Sequence, residues 1–321
     1  MKNIILRIAL VGVVISLSGI SSWAAPRVVC PAPAAPQLLA FFKVEGPLDF
    51  CGETVPLEEP EVRERLEKEL ILALDNRAQT LLWLKRSGRY MPYVEETLRA
   101  AGLPDDLKHV VIAESALLPH AGSSKGAMGY WQFMEATGRK YGLKITTERD
   151  ERRSIFYSTA AAVRYLKKLY QDFGSWTLAA AAYNMGERGL ENEIRLQRVD
   201  DYYHLYLPLE TQRYLFRIIA VKLIQSNPEK YGFKLAKDDL YAPLEFDSVE
   251  VDCPVDVPLH VVAAAAGTWF KVVKDLNPEI RGYSLSQGTH SLRIPKGSAP
   301  GFEARFEELL RQWLRESRTH N

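Results

Sequence analysis

A glutamate set among apolar residues has the plainest capacity for chemistry in this chain. Glu114 closes the run Leu103-Pro104-Asp105-Asp106-Leu107-Lys108-His109-Val110-Val111-Ile112-Ala113-Glu114. Pro104 suits the first turn of a helix, and Asp105 and Asp106 suit its positive end. Leu107, Val110 and Val111 form an apolar stripe at helical spacing, and Glu114 falls on that stripe seven residues after Leu107. The helix is expected to end soon afterwards, at Pro119. Burial and the negative end of the helix dipole both disfavour ionisation. A carboxyl so placed stays protonated near neutral pH and can give its proton to a leaving oxygen. Read alone, this segment also fits a helix-end glutamate turned to solvent.

The elements that must position Glu114 lie downstream. A loop, Ser123-Ser124-Lys125-Gly126-Ala127-Met128-Gly129, leads into Tyr130-Trp131-Gln132-Phe133-Met134. Ser158-Thr159-Ala160-Ala161-Ala162 offers a hydroxyl to cap a helix whose small residues allow close packing. Leu178 to Gly186 holds a four-alanine run that delivers Tyr183 and Asn184 where Gly186 ends the helix. Upstream, residues 61–100 read as helices, with Leu66, Leu70, Leu74 and Leu81 at helical spacing. Trp131 and Phe133 read as core, and Glu210 as structural.

In order, these segments resemble the catalytic domain of the lytic murein transglycosylases, the soluble-lytic-transglycosylase-like fold related to goose-type lysozyme, and the D-type enzymes among them. The resemblance rests on the Leu-Pro-x-x-Leu helix leading to Glu114-Ser115 and on Gly126 to Met134. It continues through Thr137-Gly138-Arg139, Asp150-Glu151-Arg152-Arg153, Ser158-Thr159, Ala181-Ala182-Tyr183-Asn184-Met185-Gly186 and Leu207-Pro208-Leu209-Glu210-Thr211. It spans about residues 65–235. The chain departs from the pattern at Leu117-Leu118-Pro119-His120, Glu135 and Ser154-Ile155, which bear on substrate fit.

The resemblance implies a mainly α fold: a lysozyme-like helical catalytic domain with a small α+β C-terminal module. Glu114 would be the sole catalytic carboxylate, and Ser123 a hydroxyl touching both it and the substrate. Gln132 and Met134 would line the sugar groove. Tyr183 would hold its hydroxyl near the acid, with Asn184 as its groove-side neighbour. The implied reaction cleaves the β-1,4 bond between N-acetylmuramic acid and N-acetylglucosamine in peptidoglycan. It consumes no water and leaves 1,6-anhydromuramic ends, with Glu114 as acid and then base. Glycoside hydrolysis usually takes two carboxylates, and no second one stands out near the motifs. Asp150 is the nearest candidate for a hydrolytic alternative, although it also suits a cap or a pair with Arg152 or Arg153. A non-catalytic wall-binding scaffold is the third reading, and an acid on an apolar face argues against it.

The remaining sequence bounds location and organisation. Lys2 and Arg7, the apolar run Ile8 to Ile20 and Ser22-Trp23-Ala24 read as a signal peptide (1–24) cleaved near Ala24, which implies export to the periplasm. Val29 before Cys30 does not suit lipid anchoring. Removing residues 1–24 leaves 39 basic residues against 40 acidic ones, so charge gives no case for nucleic acid as a partner. The expected partner is the peptidoglycan glycan strand, with peripheral envelope association and a monomeric state. No His/Cys/Asp cluster has metal-ligand spacing, so neither metal nor cofactor is expected. Residues 25–60 read as a Pro/Ala-rich leader, 61–100 as N-terminal helices and 101–240 as the catalytic domain. Residues 245–297 change to alternating valines and a closing strand at Leu292 to Pro295, and 298–321 read as a C-terminal helix. Leu259 to Ala263, Val273, Leu276-Asn277-Pro278 and Leu292 to Pro295 resemble a degenerate LysM module, a small glycan-binding βααβ unit, without its usual opening. Glycan binding and a purely structural role both stay open for it. Cys30, Cys51 and Cys253 permit one disulfide; Cys51 with Cys253 would tie the start of the ordered chain to the C-terminal module, but the sequence does not fix the pairing, and three unpaired thiols are the alternative.

Overall fold

A computed structural model describes residues 43–319. Residues 1–24, read as a signal peptide, Cys30 and the first half of the stretch read as leader lie outside the described residues. The chain opens with a hairpin, β1 (Asp49–Phe50) and β2 (Glu53–Thr54), followed by α1 (Pro60–Asp75) and α2 (Arg77–Ala100). Within the stretch read as leader, Val44, Phe50, Val55 and Leu57 are buried in the main core. Alternation over so few residues gives no periodic signal, which is why this segment reads as linker.

Leu66, Leu70 and Leu74 are buried on α1, as their spacing predicts, but Leu81 is exposed. A break at Asn76 resets the helical phase, and the Asn76 side chain accepts from Gln79 N at 3.3 Å to cap α2. A 3-10 turn (Asp105–Leu107) leads into α3 (Lys108–Ser115). Ala116 and Leu117 then take left-handed conformations (φ 50° and 62°), so α3 stops at Ser115, before Pro119.

The helical region continues through α4 (Glu135–Lys140), α5 (Ile155–Phe173), α6 (Trp176–Met185), α7 (Glu187–Gln197) and α8 (Leu209–Ser226). Ser158 and Thr159 lie inside α5, with Ser154 at its N-cap position, so neither caps the helix as expected. Their hydroxyls are used otherwise, one within the helix and one in tertiary structure. Ser158 Oγ donates to Ser154 O, and Thr159 Oγ1 accepts from the buried Trp131 Nε1 at 2.9 Å. Ala161 and Ala162 on α5 and Ala179 to Ala182 on α6 are buried, and these two helices pack together. Gly186 ends α6 at φ 89°, a conformation open to a residue without Cβ. Helix α8 packs against α1, α3 and α6 and so connects the elements that carry the candidate site.

The C-terminal region has its own core, including Val251, Val257, Val262, Val273, Leu285 and Ile294. Strands β3 (Phe246–Cys253) and β6 (Gly288–Pro295) pair antiparallel, from Phe246 opposite Pro295 to Cys253 opposite Gly288. Between them lie β4 (Val257–Pro258), α9 (Leu259–Ala265), α10 (Phe270–Leu276) and β5 (Ser284–Leu285). Helix α11 (Phe302–Thr319) adds Phe302, Phe306 and Leu310, one helical face, to this core. Among the described residues Cys51 and Cys253 are both free, so the disulfide between them that the sequence left open is not formed. Cys51 sits in the turn of the β1–β2 hairpin, packed on the main core, and Cys253 belongs to the C-terminal core.

Candidate active site

The apolar residues Leu107, Val110 and Val111 anchor α3 in the main core and fix where its last turn points. That turn brings Glu114 to a cavity of about 660 Å³ whose lining includes Ser123, Gln132, Met134, Tyr183 and Asn184. All six candidate residues from the sequence therefore meet at one cavity. Glu187 and Glu210 line it too, so two further carboxylates are present where the sequence made none stand out.

Glu114 retains some exposure through the cavity, while protein atoms crowd the carboxyl itself. Loss of hydration pushes its pKa up from an ordinary 4.5 to about 7. A hydrogen bond from Tyr214 and the positive charge of Arg217 act in the opposite direction and limit the rise, whereas the charge of Glu210 adds to it. Tyr214 Oη donates directly to Glu114 Oε1.

The expected roles map unevenly onto this geometry. Tyr183 Oη donates to Trp131 O at 2.7 Å, while the tyrosine bonded to the acid is Tyr214. Burial and the neighbouring charge of Glu114 keep the Tyr183 phenol well above its usual pKa, so it stays protonated as a donor. Asn184 Oδ1 accepts from Thr211 Oγ1 at 2.9 Å, which turns the amide NH2 branch away from Thr211. Ser123 Oγ accepts from Ala127 N at 3.0 Å, closing the loop on itself. Gln132, at φ 47°, donates from Nε2 to Ala121 O and Gly129 O at 2.9 and 2.8 Å. It thus holds the loop as well as lining the cavity. Met134 is 44% exposed and offers a soft apolar surface.

The loop wall is held from behind by Asp150 and Arg152. Both nitrogens of the Arg152 fork donate to Asp150, at 2.9 and 2.8 Å, and its third donates to Phe133 O and Gly126 O at 3.1 and 3.2 Å. Asp150 is buried in this pair and is not among the residues lining the cavity. Gly129 lies against the same support, and a Cβ on it would fall 1.9 Å from Arg152 O. The C-terminal region reaches this support as well, through Asp150 N donating to Glu279 O at 2.7 Å.

Sequence reasoning missed Tyr214 and Arg217. A signal was present: Glu210, Tyr214 and Arg217 recur at i, i+4 and i+7 directly after the Leu207-Pro208 entry to α8. Arg217 also bonds Glu210 at 3.0 Å, joining the two charges that tune Glu114.

Comparison with known proteins bears on this geometry. Residues 92–205, which hold Glu114, the loop wall and Tyr183, match the transglycosylase SLT domain. The chain is 32% identical over 256 residues to the membrane-bound lytic murein transglycosylase D of Escherichia coli K12, a match covering 78% of this chain and 56% of that protein. This chain therefore spans a little over half the length of that relative. A shorter match, 38% identical over 90 residues, covers 27% of this chain and 7% of the peptidoglycan transglycosylase of Escherichia phage T7. Among solved structures, the 70 kDa soluble lytic transglycosylase of Escherichia coli aligns with a TM-score of 0.40 at 18% identity, over 62% of this chain and 40% of that one.

Proposed function

We propose that this chain is a peptidoglycan lytic transglycosylase. The observation that carries the reading is a single desolvated carboxyl, Glu114, with its pKa near 7, facing a cavity lined by sugar-compatible polar and apolar groups. In the first step, protonated Glu114 gives its proton to the bridging oxygen between N-acetylmuramic acid and N-acetylglucosamine. The C1–O bond breaks, and the sugar's own N-acetyl oxygen stabilises the positive carbon. In the second step, the Glu114 carboxylate takes the proton from the O6 hydroxyl, and O6 closes on C1. The proton count balances and no water is consumed. A pKa near working pH suits one group to both steps. Tyr214 supports the first step, because its hydrogen bond favours the ionised form left when the proton is given.

Asn184 NH2, Ser123 Oγ and Met134 suit sugar contacts along the cavity. The basic, apolar and small-residue pattern of residues 1–24 supports export, consistent with a substrate outside the cytoplasm. Among the described residues no helix is long and apolar enough to cross a membrane.

Glu187 and Glu210 favour a second reading, hydrolysis with one of them activating water. Both are engaged elsewhere: Glu187 by Lys140 at 3.3 Å and Tyr165 at 3.2 Å, and Glu210 by Arg217 at 3.0 Å. Mass spectrometry of fragments released from purified peptidoglycan decides between the two. The transglycosylase reading expects fragments one water lighter than hydrolysis products, absent with Glu114→Gln. Fragments at the hydrolytic mass would overturn it.

A further inference from the structure

A second cavity, of about 730 Å³, opens between the helical body and the C-terminal region and shares no lining residue with the Glu114 cavity. Its charged lining is one-sided. Arg89, Arg153, Lys274 and Arg281 face it with His120, and its one carboxylate, Asp275, is bonded to Lys271 on α10. The chain as a whole carries a formal charge of only +1, so this is a local concentration of positive charge.

Arg153 is the centre of the arrangement. Its Nε is buried and has no hydrogen-bond acceptor among the described residues. The nearest carboxylate oxygen, Asp150 Oδ2, is 3.8 Å away and already bonded by Arg152. Arg153 Nη1 lies 3.4 Å from His120 Nδ1. Lys274 Nζ is held at the cavity by Ile280 O and Gly282 O. Burial, followed by the positive charge of Arg153, lowers the pKa of both His120 and Lys274, with Glu279 partly opposing the effect on Lys274. Arg153 Nη1 donates to the uncharged His120, while Arg153 and Lys274 repel one another, and an arriving anion would relieve that repulsion.

We propose that this cleft is a binding site for a small ligand bearing two or more oxyanion groups, carboxylate or phosphate, with Arg153 and Lys274 as its principal contacts. A guanidinium beside an ammonium suits a carboxylate or phosphate oxygen pair. The volume is that of a small-molecule site and exceeds what a single inorganic ion needs. Its two chemical sources are a short acidic peptide and a phosphorylated small molecule. Because the cleft is separate from Glu114, binding here stands or falls independently of the proposed reaction.

The test is isothermal titration calorimetry of the chain with tri-glutamate and with inorganic pyrophosphate, at ionic strength fixed with chloride. At least one probe is expected to bind saturably, with affinity falling ~10-fold or more in Arg153→Met and in Lys274→Met and unchanged in Glu114→Gln. Tighter binding of tri-glutamate assigns carboxylates, and tighter binding of pyrophosphate assigns phosphate. Thermal melting without probe checks folding, and Arg281→Gln, at an exposed position, gives a second reading with weaker binding if the others fail to fold. Binding of neither probe, or equal affinity across wild type and every folded cleft variant, would overturn the proposal.

Discussion

Glu114 reaches its cavity from a helix packed into the apolar core, whereas the wall from Ser123 to Met134 adds polar bonds from a buried guanidinium to its aromatic anchors. The first arrangement sets chemistry: dense apolar packing removes water from one carboxyl and raises its pKa. The second sets shape: Arg152 and Gly129 fix the backbone of a loop that Tyr130, Trp131 and Phe133 anchor in the main core. Changes on the α3 and α8 side should therefore move proton affinity and leave substrate affinity in place. Changes behind the loop should do the reverse.

The largest effect is expected for Glu114→Gln, which should lower the rate of glycan cleavage on the order of 10⁴-fold, measured by release of soluble fragments. The same variant sharpens the contrast through stability. A carboxyl whose pKa is raised on folding, here from 4.5 to about 7, holds its proton more tightly in the native state. Native stability then falls as pH rises from about 4.5 to about 7 and stays at the lower level above that. Glu114→Gln should remove this slope and be more stable than wild type above pH 7, on the order of 2 kcal/mol, by denaturant unfolding at several pH values.

Arg152→Met comes next. It leaves the buried Asp150 carboxylate without its forked partner and frees two loop carbonyls. A loss of about 3–5 kcal/mol is expected in urea unfolding. In preparations that remain folded, KM should rise with the pH profile unmoved. Gly129→Ala should cost about 3 kcal/mol, since it places a Cβ against Arg152 O at a positive φ. Its effect on activity should again fall on KM. A shifted pH profile in either loop variant would break the distinction between the two walls.

Tyr214→Phe is the mildest. Removing a hydrogen bond that lowers the Glu114 pKa should raise it further, moving the pH-rate limb attributed to the carboxylate to higher pH. The rate at neutral pH should fall by no more than about tenfold. Tyr183→Phe frees only Trp131 O and should shift this limb less.

Much of this was legible in the sequence where the signal is local. The stripe Leu107, Val110, Val111 places Glu114 on the side of α3 that meets the cavity, and Gly186 ends α6 where Tyr183 and Asn184 are needed. The rest depends on partners far away in sequence. Tyr214 meets Glu114 across 100 residues, and Thr159 gives its hydroxyl to Trp131 across 28 residues instead of capping a helix. Leu81 reads as core only if α1 and α2 are one helix, and the break at Asn76 is a single-residue event. Asp150 draws attention as a carboxylate, but its pairing with Arg152 makes it a support for the loop wall.

In the proposed reaction one buried carboxyl titrates near the pH at which it both gives and takes a proton. Carboxyl ¹³C NMR of glutamate-labelled protein, with Glu114→Gln to assign the resonance, measures that directly. A midpoint near 7, as burial dictates for Glu114, is the predicted result. A midpoint near 4.5, the value of an ordinary hydrated glutamate, would contradict it and leave the first proton transfer without a donor.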